Sequence, residues 1–202
     1  AVSTPIFGRL ADLYGRKNIL IVGISAFLAA SVACGFATSM PMLVVFRLLQ
    51  GLGAGSTMTI VSTLAGDLYE VQERGRVQAY LSSVWGVSAV VGPLLGGLIV
   101  EQFAWSWIFW FNVPIGLVAI VGLRMFLHEK PVTRDAQLDL VSAGLLFAAI
   151  GSMMLLFTQG PIWGWPAMLG LALVSLLTGS RFFARQMRVP EPLITSETWR
   201  DR

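Results

Sequence analysis

The chain has 202 residues, 55% of them hydrophobic and 12% charged, with a mean hydropathy of +0.74. That charged content is about half the ~25% of a soluble domain, which excludes an ordinary water-soluble core and identifies a membrane composition. The net charge of +3 does not make a nucleic-acid interface, because the basic residues form short flanks between apolar blocks and not a continuous patch.

Residues 1–8 read as the end of a hydrophobic element, and Trp199-Arg200-Asp201-Arg202 carries no closing signal, so the chain is expected to be a piece of a longer protein. Six apolar segments follow, over Ile19–Thr38, Pro41–Gly66, Val77–Val100, Trp105–Leu123, Leu140–Gln159 and Ile162–Ser180. Each holds about 19–26 residues, roughly 28–39 Å as helix, enough for a ~30 Å hydrocarbon layer. Outer-membrane strands are shorter and alternate polar with apolar residues, so the fold class is all-α, a polytopic membrane helix bundle. Cys34, the one cysteine, sits inside an apolar block and reads as packing, with no disulfide framework or metal set.

The connections alternate between two kinds. One kind holds Arg9, Arg16 and Lys17, then Arg74 and Arg76, then Arg124, Lys130 and Arg134, then Arg181, Arg185 and Arg188, with Arg200 and Arg202 beyond. The other kind, Thr38–Met40, Glu101–Ala104 and Gly160–Trp163, holds no basic residue. Of the 14 basic residues only Arg47 lies inside an apolar segment. The positive-inside rule then predicts that the basic connections are cytoplasmic and that the lipid bilayer is the surrounding medium. The expected organisation is a bundle over 1–127, a linker over 128–138, a helix pair over 139–188 and a second linker over 189–202. His128, the single histidine, falls in the first linker, where it reads as solvent-facing. Trp105, Trp107, Trp110, Trp163 and Trp165 cluster at the opposite ends, as interfacial anchors do.

Four stretches carry more than hydropathy. Gly8-Arg9-Leu10-Ala11-Asp12-Leu13-Tyr14-Gly15-Arg16-Lys17 is read as a tight connection, with Asp12 in a turn ahead of a helix start, where a carboxylate complements exposed N–H groups. Arg47-Leu48-Leu49-Gln50-Gly51-Leu52-Gly53-Ala54-Gly55 places an arginine inside the membrane, a costly arrangement that marks function and asks for a partner. Arg47, Gln50, Gly51, Ala54, Gly55, Met58 and Ser62 recur at helical spacing as one stripe of polar and small residues. Snorkelling is the competing reading, since Arg47 is about 9 Å along a helix from Pro41. Asp67, Glu70, Glu73, Arg74 and Arg76 form a charged connection able to pair with Arg9 and Arg16. In Ser88-Ala89-Val90-Val91-Gly92-Pro93-Leu94-Leu95-Gly96-Gly97, a mid-helix proline removes a backbone donor, and Ser88, Gly92, Gly96 and Gly97 offer a face for close packing.

The order of residues in these stretches resembles the major facilitator superfamily. The first stretch is similar to that family's signature loop between its second and third helices. The resemblance implies a conformational latch carried by Gly8, Asp12, Gly15 and Arg16. The second matches the fourth-helix pattern at Arg47, Gln50, Gly51, Gly53 and Ala54, and implies proton coupling at Arg47. The fourth, Ser88 to Gly97, resembles the fifth-helix signature of drug:proton antiporters, with Ser88 where glycine is usual. Trp105-Ser106-Trp107-Ile108-Phe109-Trp110-Phe111-Asn112-Val113-Pro114-Ile115-Gly116 resembles the sixth-helix start of the 14-helix branch, with Ser106 in place of arginine. The 139–188 pair looks like that branch's extra central helices.

What the resemblance implies is a secondary active transporter in the plasma (inner) membrane. It would export amphipathic or cationic drug-like compounds by alternating access. Its partners would be a small-molecule substrate and protons, with accessory efflux proteins allowed and no nucleic acid. It would need no cofactor beyond a proton gradient. Arg47, Gln50, Met58, Trp85 and Asn112 are the expected cavity residues, and Gly51, Gly55, Ser88, Gly92, Pro93, Gly96 and Gly97 the expected packing positions. An exporter of a lipid or metabolite on the same scaffold, or a non-transporting structural or receptor-like subunit, stays open. An enzyme is not expected, since there is no H-E-x-x-H, no paired intramembrane carboxylates and no nucleophile–histidine pair.

Overall fold

The computed structural model describes residues 4–129 and 139–187. Most of both expected linkers lies outside the described residues. Within them there are helices and no strand: α1 (Thr4–Tyr14), α2 (Arg16–Gly35), α3 (Met40–Leu68), α4 (Val71–Gln102), α5 (Trp107–Trp110), α6 (Asn112–Phe126), α7 (Leu140–Thr158), α8 (Gly160–Trp163) and α9 (Trp165–Gln186). Six stretches are long and apolar enough to cross a membrane: α2, α3, α4, the continuous run of α5 and α6, α7 and α9.

Several boundaries differ from the sequence expectation, each for a physical reason. The Gly8–Lys17 segment is mostly helix: α1 continues to Tyr14, so Asp12 lies in a last helical turn and not in a turn before α2. The bend is made by Gly15 alone, at φ +89°, a backbone region that side chains with a β-carbon avoid. The charged connection shrinks to Tyr69 and Glu70, because α4 begins at Val71 and carries Gln72, Glu73, Arg74 and Arg76 in its opening turns. Charged helix formers extend a helix past the hydrocarbon layer, and Glu73 near the N-terminus complements its partial positive charge. The last expected segment is split by Gly164 at φ +88°, after which Pro166 restarts the helix as α9. Phe111, between α5 and α6, keeps helical backbone angles, so the two run as one span. Pro114, lacking an N–H, cannot donate to the carbonyl of Trp110. The helix α4 runs through Pro93 unbroken.

The chain forms two compact units, residues 14–132 and residues 1–13 with 133–202. In the first, α2 and α3 are the closest pair, and α2 also packs on α5 and α6. Leu20, Ser31, Cys34, Ser56 and Ile60 are fully buried there. The two helices touch backbone to backbone at small residues: a β-carbon at Gly23 would strike the Ser56 hydroxyl, and one at Gly53 would come within 2.7 Å of the Phe27 nitrogen. Gly35 leaves room for Trp110, whose ring meets Phe36 edge-on at 4.9 Å, and Gly116 leaves room for Leu28. By contrast, no residue of α4 is buried. Added β-carbons at Gly51, Gly92, Gly96 and Gly97 would meet nothing within 4 Å. In the second unit, α7 and α9 pack as a hairpin through α8, sealed by buried Ser142, Ala143 and Phe182 and by a Ser175 hydroxyl donating to the Ala149 carbonyl at 3.1 Å.

Candidate functional site

The intramembrane arginine is held inside a polar network of the first unit. Arg47 Nη1 donates to Gln50 Oε1 at 2.9 Å, one helical turn further along α3. Gln50 Nε2 donates across the helix pair to Ser31 Oγ in α2 at 2.8 Å. Ser31 Oγ also accepts from Asn112 Nδ2 of α6 at 3.2 Å and donates to the Phe109 carbonyl of α5 at 3.2 Å. Asn112 is further placed by a bond to the Ile108 carbonyl at 3.5 Å. The Arg47 guanidinium lies over the Phe109 ring, 4.5 Å from its centroid. Ser31 is 0% exposed, Gln50 4% and Phe109 4%. A buried amide and hydroxyl are tolerated because each is bonded, and the ring face supplies attraction to a cation of about 0.5–2 kcal/mol. Among the described residues, then, an amide oxygen and an aromatic face hold the guanidinium.

Of the expected cavity residues, Arg47, Gln50 and Asn112 meet in this network, while Met58 and Trp85 stand elsewhere. They face each other across a cleft of about 520 Å³ between α3 and α4, lined also by Thr57, Val61, Ser62, Gln78, Leu81 and Ser82. The stripe read along α3 is therefore divided. Of its members, Gln50 is buried, Ala54 is half-buried, and Arg47, Met58 and Ser62 are exposed. Gly55 is buried, whereas Gly51 is exposed with open space beside it.

The signature stretch is shared between the two units, Gly8 and Asp12 in α1 and Gly15 and Arg16 at the start of α2. The Arg16 side chain pairs with Asp67 in the last turn of α3. Glu129, just beyond α6, accepts from the backbone N–H of Arg16 at 2.9 Å and of Lys17 at 2.8 Å. Lys17 Nζ returns to the end of α6, donating to the carbonyls of Arg124 at 3.2 Å and of Leu127. Thus the start of α2 and the ends of α3 and α6 meet at one end of the unit.

In the second unit, Asp139 caps α7. Its Oδ1 accepts from the N–H groups of Val141 at 3.1 Å and Ser142 at 3.2 Å, and its Oδ2 from the Ser142 hydroxyl at 2.6 Å. Arg185, in the last turn of α9, adds two bonds at 2.9 and 3.2 Å. The Arg185 guanidinium first, and the Ser142 hydroxyl second, hold the Asp139 carboxyl well below the usual carboxylate range.

Sequence reasoning missed Ser31, Phe109, Glu129 and Asp139. Only Asp139 carried a local signal, an aspartate directly ahead of an apolar helical run. No cluster of three or more histidine, cysteine or acidic side chains suited to a metal occurs among the described residues.

Residues 1–190 match the Major Facilitator Superfamily, and the chain belongs to it. It is 33% identical over 201 residues to "Multidrug resistance protein 3" of Bacillus subtilis (strain 168), covering 98% of this chain and 39% of that protein. "Multidrug transporter protein MdtP" of the same organism is 31% identical over 98% of this chain and 37% of its own length. "MFS-type efflux pump MMF1" of Pseudozyma antarctica (strain T-34) is 37% identical over 95% of this chain and 36% of its own length. The chain spans a little over a third of the length of these relatives.

Proposed function

We propose that the whole protein is a proton-coupled exporter of amphipathic or cationic compounds, working by alternating access with its basic connections in the cytoplasm. The observation that carries this reading is the Arg47 network. A permanent cation is kept within an apolar helix by Gln50, Ser31 and Asn112 and by the Phe109 face, an arrangement whose cost a purely structural helix has no reason to bear. Arg47 biases protonation of an acidic group brought beside it during the cycle. The cleft between Met58 and Trp85 supplies a substrate-facing wall. Gly8, Asp12, Gly15 and Arg16 form the latch, with the Arg16–Asp67 pair as one of its closed contacts. Asp67 is more than half exposed, so the pair is screened by solvent and worth only about 0–1 kcal/mol, which suits a contact that must break on every turnover. The α7–α9 hairpin is the extra central pair of a 14-helix exporter. The names of the relatives, multidrug and efflux proteins among them, support export over import.

The test is uptake of a fluorescent amphipathic cation into everted membrane vesicles containing the whole protein, with and without an imposed proton gradient. Gradient-driven uptake is expected, abolished in Arg47→Ala while that variant still inserts. Uptake indifferent to the gradient, or wild-type uptake by Arg47→Ala, would overturn the coupling role.

A further inference from the structure

The helix α2 begins without a cap of its own. Gly15 occupies the N-cap position and has no side chain to accept from the N–H groups of the first turn. The groups that meet them come from 113 and 112 positions away, as the two oxygens of one carboxylate: Glu129 Oε1 on the Arg16 N–H and Glu129 Oε2 on the Lys17 N–H. A carboxylate at a helix N-terminus gains from the helix dipole as well as from charge-assisted bonds. Gly15 is fitted to this arrangement twice. Its φ of +89° disfavours any β-carbon, and a β-carbon built there would crowd Glu129 Oε2 at 3.2 Å. The contact is answered in the opposite direction by Lys17, whose ammonium group bonds the carbonyls of Arg124 and Leu127, which α6 cannot satisfy internally. Two charged side chains thus cap each other's helices, positive on a C-terminus and negative on an N-terminus.

We infer that Glu129 is the positioning residue for Arg16: by capping α2 from the end of α6 it sets the first turn of α2 and so aims the Arg16 guanidinium at Asp67. The charged groups around this joint are Arg16, Lys17, Asp67 and Arg124, with Glu129 the acceptor for both backbone donors. Because α2 and α6 are tied at this point, a change at the end of α6 is delivered to Arg16. The role in turnover rests on the exporter reading above; the cap does not.

The experiment uses the whole protein in lipid nanodiscs, as wild type, Glu129→Ala and Glu129→Gln, with two independent readouts. Backbone hydrogen exchange over residues 15–18 is expected to quicken about tenfold in Glu129→Ala, with buried amides of α3 unchanged, and to an intermediate degree in Glu129→Gln, which keeps one acceptor oxygen. Equal exchange in all three proteins would overturn the cap. In proteoliposomes, Glu129→Ala is expected to lower maximal export about fivefold with the substrate KM unchanged, the mark of a group acting on the conformational step and not on binding. Lost protection with undiminished export would overturn the positioning role. Absence of export by the wild type would overturn the exporter reading alone, since the exchange measurement stands without it.

Discussion

Gly53 of α3 lies against the backbone of Phe27 in α2, so closely that a β-carbon at position 53 would come to 2.7 Å from the Phe27 nitrogen and 2.8 Å from the Gly23 carbonyl oxygen. Both obstacles are backbone atoms and cannot swing aside. Gly53→Ala is expected to destabilise the α2–α3 pair by about 1–3 kcal/mol, outweighing the gain in helix propensity of about 1 kcal/mol. A lowered midpoint in a detergent-denaturation titration checks this. Gly51→Ala, where an added methyl meets nothing in this chain, is the control and raises the midpoint by the propensity gain alone.

Gln50 is the hinge of the polar network, serving Arg47 with its oxygen and Ser31 with its nitrogen. Gln50→Ala strips a buried hydroxyl of one donor and the guanidinium of its acceptor. The expected cost is about 1–3 kcal/mol in the same titration. Gln50→Leu, nearly equal in volume, is expected to lose as much, because the loss is of hydrogen bonds and not of packing.

The Asp139–Arg185 clamp makes the α7–α9 hairpin acid-sensitive. The folded carboxyl is held below its ordinary range by Arg185 and Ser142. Its contribution to stability is therefore complete above the unfolded value of about 3.9 and is lost as pH falls below that point toward the folded value. Melting temperature is expected to be flat in this respect between about pH 5 and 8 and to drop below about pH 4. Asp139→Asn lowers stability at neutral pH and removes this share of the acid dependence.

Trp85 and Met58 form opposing walls of the α3–α4 cleft. Trp85→Ala is expected to raise the KM for aromatic substrates about tenfold, the worth of a stacking surface of roughly 1.4 kcal/mol, while leaving maximal export near wild type. A fall in maximal export with unchanged KM would remove Trp85 from substrate contact.

Hydropathy made the membrane-spanning elements readable, because ~20-residue apolar runs admit few alternatives. Their ends were not readable where charged helix formers continue a helix past its apolar part, as Gln72, Glu73, Arg74 and Arg76 do in α4. Asp12 was misplaced for the same reason: the only sharp signal for a turn in that stretch is one glycine at positive φ, and composition does not say which of Gly8 and Gly15 bends. Arg47 announced itself as a charge in an apolar segment. Its neighbours did not, since Ser31 is a small residue in an apolar helix and contacts Gln50 across 19 positions and Phe109 across 78. Glu129 reads locally as one more charge in a loop, and only the fold brings it to α2.

Ser31 has one proton to give and two lone pairs to offer, and all three are in use. Its proton goes to the Phe109 carbonyl, so Gln50 and Asn112 must both present N–H to it, and Gln50 is left with its oxygen facing Arg47. The polarity of every bond in the chain follows from that one hydroxyl. A carboxamide donates only from its nitrogen and accepts only at its oxygen, so Gln50 and Asn112 cannot relay a proton from one neighbour to the next. The network is consequently an insulator for protons and not a wire. In the coupling role proposed above, Arg47 acts through its charge and not by passing a proton along this network.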